Sequence, residues 1–336
     1  MNAKQLKTSL LKALVNGIKV LVAGASGVGK TQCVEQVTTE AKVALIKSHP
    51  VVSDVCDYKG QPWVIEVNGE HKAVHLPYGD IEKILHCDEQ TIVFIDDLGQ
   101  SPPSVQAALM QFLHGGELNG VKIPECVLFW AATNRRKDRC GVSGILECVK
   151  SRFHTIVELS PDLQSWVEWA YTAGIRPEVI GWVQFQPEFF NSEETTTEIQ
   201  NRPCPRTVEY ASDLIKAGMT SIEELSGAVG PAAGPALAAF VTMWDQLPDL
   251  DEIRKSPDTA PVPTEPSTLH AVITALVSQM TPKDSDALWT YALRLRKEFS
   301  VLMGINIIHR NKANGKKTKG AKFAQWCSSH PDVFFE

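Results

Sequence analysis

The segment Gly24-Ala25-Ser26-Gly27-Val28-Gly29-Lys30-Thr31 spells GxxxxGK[ST], and its flanks commit the chain to one kind of architecture. Ile18-Lys19-Val20-Leu21-Val22-Ala23 before it reads as a short buried strand, and Gln32-Cys33-Val34-Glu35-Gln36-Val37 after it continues as a helix. Strand, loop and helix in that order turn a glycine pattern into a phosphate cradle. The glycines let backbone N–H groups close around the β- and γ-phosphates of a nucleotide, and the helix N-terminus adds positive potential. Lys30 is placed to neutralise phosphate charge and Thr31 to give its hydroxyl to Mg²⁺. Such a loop leaves the carboxyl end of a buried parallel strand, so the sheet it belongs to must carry helices on its faces.

The chain up to about Ser160 meets that demand. Val43-Ala44-Leu45-Ile46, Thr91-Ile92-Val93-Phe94-Ile95, Val127-Leu128-Phe129-Trp130-Ala131-Ala132 and Thr155-Ile156-Val157-Glu158-Leu159 read as buried parallel strands. With the strand before the phosphate loop they make five, mostly separated by helical stretches, which predicts an α/β class with a parallel five-stranded sheet over residues 1–160. Two Asn-Gly pairs, Asn68-Gly69 and Asn119-Gly120, predict hairpins inserted at about 60–78 and 116–124. Beyond residue 160 the strand signals vanish. Trp166, Trp169, Ala170, Ile175, Val179, Ile180 and Val183 recur at helical spacing, the acidic stretch from Asn191 to Gln200 reads as a loop, and helices alone are expected from Pro205. Residues 161–336 are therefore an all-α lid and C-terminal region, with a proline-rich linker at about 256–267.

At 336 residues and 43% hydrophobic content the chain is long enough for two soluble domains. No apolar run approaches the ~20 residues of a membrane span, and the N-terminus lacks the apolar core of a signal peptide, so no membrane partner is expected. Leu6, Leu10, Leu11 and Leu14 instead form the inner face of an amphipathic helix. The eight cysteines are scattered without a zinc-like spacing, which points to a reducing, cytoplasmic setting. A net charge of −6 argues against a broad nucleic-acid surface while leaving room for a local patch.

Phosphate binding is not yet hydrolysis, which needs groups placed around the γ-phosphate. Ile92–Asp97 is an apolar strand ending in two carboxylates about 65 residues after the loop. There Asp96 can hold the metal through water and Asp97 can orient or deprotonate the attacking water. A plainer role, ending the strand and capping the helix begun by Ser101-Pro102-Pro103, is also open to the pair. The next strand ends in Thr133-Asn134-Arg135, where Asn134 can hold the lytic water or simply form a turn. Asp96-Asp97-Leu98-Gly99 also fits the DxxG of GTPases, but Asn134-Arg135-Arg136-Lys137-Asp138 breaks the Asn-Lys-x-Asp spacing that guanine recognition needs, so ATP is favoured. Arg152, in Ser151-Arg152-Phe153, and Arg206, in Pro205-Arg206-Thr207, are either surface ion-pair partners or suppliers of transition-state charge across a subunit boundary.

In its order and detail this set resembles AAA+ ATPases, and the MoxR-like branch in particular. The phosphate loop, Ile92–Asp97, Thr133-Asn134-Arg135, Ser151-Arg152-Phe153 and Pro205-Arg206 match that family's successive nucleotide motifs. Pro102-Pro103-Ser104-Val105-Gln106-Ala107-Ala108-Leu109 is similar to the helix after the second acidic motif. Asp57-Tyr58-Lys59-Gly60-Gln61-Pro62 with the following hairpin resembles the branch's insertion near its second helix. The resemblance continues through Asp162–Trp166 and Pro187–Phe190 and covers nearly the whole chain. It implies that Arg152 is an arginine finger acting on the next subunit's ATP and that Arg206 is the second sensor. It also implies a homo-oligomeric ring, with a hexamer expected, that remodels or matures a protein client, often with a von Willebrand factor A domain protein.

One residue departs from the family pattern. Asp97 stands where the family usually has Glu, which draws the carboxylate back by roughly 1.5 Å, one carbon–carbon bond. Displacements on that scale can cost about a hundredfold in rate, so slow turnover with ATP binding retained is expected. Two other readings therefore stay open, a slow-hydrolysing ATP-dependent switch or scaffold and a nucleic-acid-remodelling motor. The motive for the second is the basic cluster Arg310, Lys312, Lys316, Lys317, Lys319 and Lys322, which also reads as a solvated loop. His71 and His75 share one face of a hairpin strand without a third ligand and read as surface residues.

Overall fold

The computed structural model describes residues 1–138, 141, 144–194 and 198–334. Two units separate, Met1–Pro161 and Asp162–Glu336. In the first, α1 (Ala3–Val15) leads into β1 (Val20–Gly24), α2 (Lys30–Ala41) and β2 (Ala44–Ser48). A short α3 (Cys56–Lys59) introduces β3 (Gln61–Val67) and β4 (Glu70–Leu76), then α4 (Gly79–Leu85), β5 (Thr91–Ile95) and α5 (Pro103–Gly115) follow. After β6 (Glu117–Leu118) and β7 (Val121–Lys122) come β8 (Val127–Thr133), α6 (Glu147–Lys150) and β9 (Thr155–Leu159).

The main sheet has the order β2-β5-β8-β1-β9 and is parallel throughout. Side chains alternate across it, as a period of two requires. Leu21, Val93, Ile95, Phe129 and Ala131 face one core with Ile81, Leu109 and Phe112. Val22, Ile92, Phe94, Trp130 and Ala132 face the other with Leu6, Leu10, Leu14, Val34 and Val37. Trp130 is wholly buried and still donates its indole N–H to the Ile18 carbonyl at 3.0 Å, so the ring costs no unmet polar group. Both edges depart from the expectation of full burial. Ala44, Leu45 and Ile46 of β2 are half-buried, and Thr155, Ile156 and Glu158 of β9 are exposed.

Both Asn-Gly pairs form hairpin turns. Asn68 and Gly69 take φ of 54° and 79°, and Asn119 and Gly120 take 50° and 83°, the positive pair that matches the twist of the flanking strands. The Asn119 amide reaches the Lys59 carbonyl, so the second turn is tied to the base of the first hairpin. Trp63, Val64, Leu76 and Val121 leave large apolar surfaces exposed on these two insertions.

The second unit is helical: α7 (Leu163–Ala173), α8 (Pro177–Phe185), α9 (Pro205–Lys216), α10 (Ile222–Val229), α11 (Gly234–Trp244), α12 (Leu250–Lys255), α13 (Pro266–Ser278), α14 (Ser285–Arg294), α15 (Lys297–Ala313) and α16 (Ala321–Ser329). Its core gathers Trp166, Trp182, Trp289, Tyr291 and Trp326 around α13, whose residues 271–277 are all buried. The proline-rich stretch before α13 is not a free linker. Ala260 is buried, the Tyr291 hydroxyl donates to the Pro261 carbonyl at 3.1 Å, and Arg294 holds the Pro257 carbonyl. Of the expected loop 191–200, residues 195–197 lie outside the described residues.

Candidate nucleotide site

The loop after β1 is shaped by glycine where only glycine fits. Gly27 and Gly29 take φ of 80° and 95°, and a side chain on Gly24 would come within 2.8 Å of the Leu159 carbonyl. Ala25 and Val28 turn inward to the core while Ser26 stays half-buried. Gly29 is the N-cap of α2, so the first N–H groups of that helix lie at the loop without a side-chain cap. Cys33, one turn on, packs as a small apolar group, and burial pushes its thiol up to about 11.

Lys30 is buried, and its ammonium donates to the carbonyls of Gly24 (3.1 Å) and Ala25 (2.9 Å) and to Asn134 Oδ1 (2.6 Å). Thr31 donates its hydroxyl to Asp96 Oδ2 at 2.7 Å. Asp96 follows β5 and is itself buried. Its backbone N–H extends the sheet ladder to the Ser48 carbonyl at 2.9 Å, and its Oδ1 accepts from the Asp97 N–H at 3.0 Å. The chain then bends sharply. Asp97 sits in the left-handed region at φ 55°, ψ 33°, and a 3₁₀ turn, Leu98–Gln100, begins beyond it. The carboxylate therefore does not cap α5, which starts at Pro103 behind Pro102 with no side-chain cap.

That bend aims Asp97 at the end of β8. Asn134 is buried there and spends both amide hydrogens, one on Asp97 Oδ1 at 2.9 Å and one on Gln100 Oε1 at 3.0 Å. Lys30, Thr31, Asp96, Asp97 and Asn134 thus meet at one end of the sheet. Gln100 joins them and carries no motif of its own. Its backbone N–H donates to the Asp97 carbonyl at 2.9 Å, which brings it back to that residue.

Arg152 lies elsewhere in the first unit. Arg152 precedes β9, whose first residue pairs with Val20, so it stands at the sheet edge opposite the phosphate loop, about a strand length or roughly 15 Å away. Its Nε is buried without a hydrogen-bond partner, and burial together with the Arg152 charge lowers the Lys19 ammonium from its usual range. Arg135, next to Asn134, is consumed in structure by a forked pair to Asp138 and a bond to Glu158. Arg206 is the second residue of α9, exposed, in the second unit.

The donor set fits Mg·ATP. Thr31 and Asp96 present adjacent oxygens, the hard ligands that a divalent ion bridging phosphates uses one or two at a time. Gly29 has open space where a Cβ would stand, as close approach of a phosphate to backbone requires. Among the described residues no group of three or more His, Cys, Asp or Glu is placed to hold a metal, and the seven described cysteines are free thiols. His71 and His75 are exposed on β4. No helix among the described residues is long and apolar enough to cross a membrane. The basic cluster divides: Arg310 is bound to the Tyr171 and Ser278 carbonyls and Lys312 pairs with Glu168, while Lys316, Lys317 and Lys319 are exposed.

Residues 20–160 match the family model described as ATPase family associated with various cellular activities (AAA). No curated protein matches the chain. Among solved structures it is similar to the Thermotoga maritima RuvB Holliday junction branch migration motor, with 15% identity, 82% of this chain and 80% of that one covered, and a TM-score of 0.41. A mutant of the same RuvB gives 16% identity, 88% and 85% covered, and a TM-score of 0.44. The chain is also similar to NtrX from Brucella abortus in complex with ADP, with 14% identity, 98% and 68% covered, and a TM-score of 0.42. The first unit therefore carries an AAA domain, which makes the protein an ATPase with ATP as its nucleotide.

Proposed function

We propose that this AAA domain drives a ring-forming, MoxR-like ATPase that couples Mg·ATP hydrolysis to remodelling or maturation of a protein partner. The observation that carries the hydrolytic half is the closed network Lys30–Asn134–Asp97 beside Thr31–Asp96. Lys30 and the α2 N-terminus bind the phosphates, and Thr31 and Asp96 would hold Mg²⁺, which would supply charge neutralisation there. Asp97 takes the proton of the attacking water, and Asn134 fixes that water and reports the γ-phosphate to the β8 end. Phosphoryl transfer asks mainly for positioned charge, and these groups supply it from three adjacent strands.

Arg152 supplies the remaining positive charge to a neighbour's site. It stands a strand length from its own phosphate loop, so a role on ATP requires a second subunit. Arg206, on a helix of the second unit, senses the same phosphates. The two hairpins, tied through Asn119 and bearing exposed Trp63 and Val64, engage the client in a cytoplasmic setting. One observation favours a second reading, a slow switch: the short Asp97 carboxylate is already held by Asn134, which limits its freedom to reach a water.

The test is ATP turnover across a protein concentration series, with native mass at each point, beside Lys30→Ala and Arg152→Ala. Turnover that rises with assembly and is lost in both variants supports the motor. Assembly and ATP binding with background turnover selects the switch, and full activity of Arg152→Ala monomers rejects the ring.

A further inference from the structure

We propose that Gln100 is a positioning residue for hydrolysis, holding the Asn134 amide in the one orientation that serves Asp97 and Lys30 together. The inference rests on the hydrolytic reading above and adds a residue that no motif marks. An amide side chain has two near-equivalent orientations related by a flip of its plane, and only its partners choose between them. Asn134 is fully committed in one of them. Its oxygen accepts from Lys30 Nζ at 2.6 Å, and its two N–H groups go separately to Asp97 Oδ1 at 2.9 Å and Gln100 Oε1 at 3.0 Å.

Gln100 is able to do this because of the turn it closes. Its backbone N–H donates to the Asp97 carbonyl at 2.9 Å, which completes the 3₁₀ turn begun by the left-handed Asp97. Asp97 and Gln100, at the two ends of this turn, both accept from Asn134 Nδ2. The same residue therefore sets the direction of Asp97 through its backbone and the direction of Asn134 through its side chain. Without the Gln100 acceptor, the second amide hydrogen of a buried Asn134 is left unmet, and the amide relaxes away from the geometry it shares with Asp97.

Phosphate binding belongs to Lys30, Thr31 and the loop, whereas the Gln100 oxygen acts on the Asn134 amide. Its loss must then fall on kcat and leave KM for ATP near the wild-type value. A misplacement on the ångström scale costs about a hundredfold, so Gln100→Met, which keeps the length and removes the acceptor, is expected to lower kcat between roughly ten- and a hundredfold. Gln100→Glu restores the acceptor oxygen but adds a carboxylate beside Asp97. Its kcat is therefore expected to lie above that of Gln100→Met and below wild type.

The experiment is steady-state ATP hydrolysis by wild type, Gln100→Met and Gln100→Glu at one pH, with kcat and KM resolved for each. Circular dichroism and native mass establish equal folding and assembly. A kcat-only loss in Gln100→Met, partly rescued in Gln100→Glu, supports the assignment. Unchanged kcat in Gln100→Met, or a loss expressed mainly in KM, overturns it while leaving the ATPase reading intact. Absence of wild-type turnover overturns both together.

Discussion

At residue scale the decisive contact is the one between Asp97 and Asn134. Asp97→Asn keeps the shape and removes the base, so kcat should fall about a hundredfold or more while ATP affinity stays within roughly threefold. Asp97→Glu should raise kcat above wild type if the short carboxylate limits the rate; titration of a fluorescent ATP analogue beside a phosphate-release assay separates the two effects. Equal turnover of wild type and Asp97→Glu, both brisk, would sink the idea that the missing methylene matters. Most of these groups were legible in the amino-acid order because each sits at a fixed offset from a strand end: Lys30 and Thr31 after β1, Asp96 and Asp97 after β5, Asn134 after β8. Gln100 was not, since Leu98-Gly99-Gln100 reads as an ordinary loop until the 3₁₀ turn brings it to Asn134.

At the scale of elements, short apolar runs located the strands and the Asn-Gly pairs located both hairpins, because a buried run and a positive-φ turn are local properties. Local pattern is silent on neighbours, so the order β2-β5-β8-β1-β9 and the exposure of β9 came only from the assembled sheet. The helical unit hides a second long-range feature. His270 on α13 lies between the rings of Phe185 and Phe299, at 5.4 and 5.3 Å, with Nδ1 buried and unpartnered, and this burial pushes its pKa down to about 4. A folded pKa below the unfolded value means that the unfolded chain takes up the proton first. Stability is therefore complete above about pH 6.5 and declines as pH falls toward 4, by up to about 3 kcal/mol from this group. Urea unfolding followed by tryptophan fluorescence at about pH 7, above that window, and about pH 4.5, near its lower end, should show a smaller acid loss in His270→Leu than in wild type, and parallel losses would refute the assignment.

For the whole molecule the question is which subunit's Arg152 serves a given ATP. The proposed role places it on a neighbour's ATP, because β9 begins at the end of the sheet away from the phosphate loop. Two variants that are each inactive should then complement one another. Lys30→Ala binds no ATP productively but still offers Arg152 to its neighbour, and Arg152→Ala binds ATP but offers nothing. In a randomly mixed ring of equal parts, a site is complete when an Arg152→Ala subunit faces a Lys30→Ala one, which occurs at about a quarter of the interfaces under head-to-tail closure. Mixing the unfolded or dissociated chains and reassembling them should recover turnover toward that fraction, while simple mixing of stable rings recovers less. A finger acting in cis predicts no recovery at any ratio, because neither chain then holds a complete site. The same mixture measures cooperation around the ring: recovery well below a quarter means that a dead neighbour silences a complete site, which is the behaviour expected if Asn134 and the second unit pass the γ-phosphate signal from one subunit to the next.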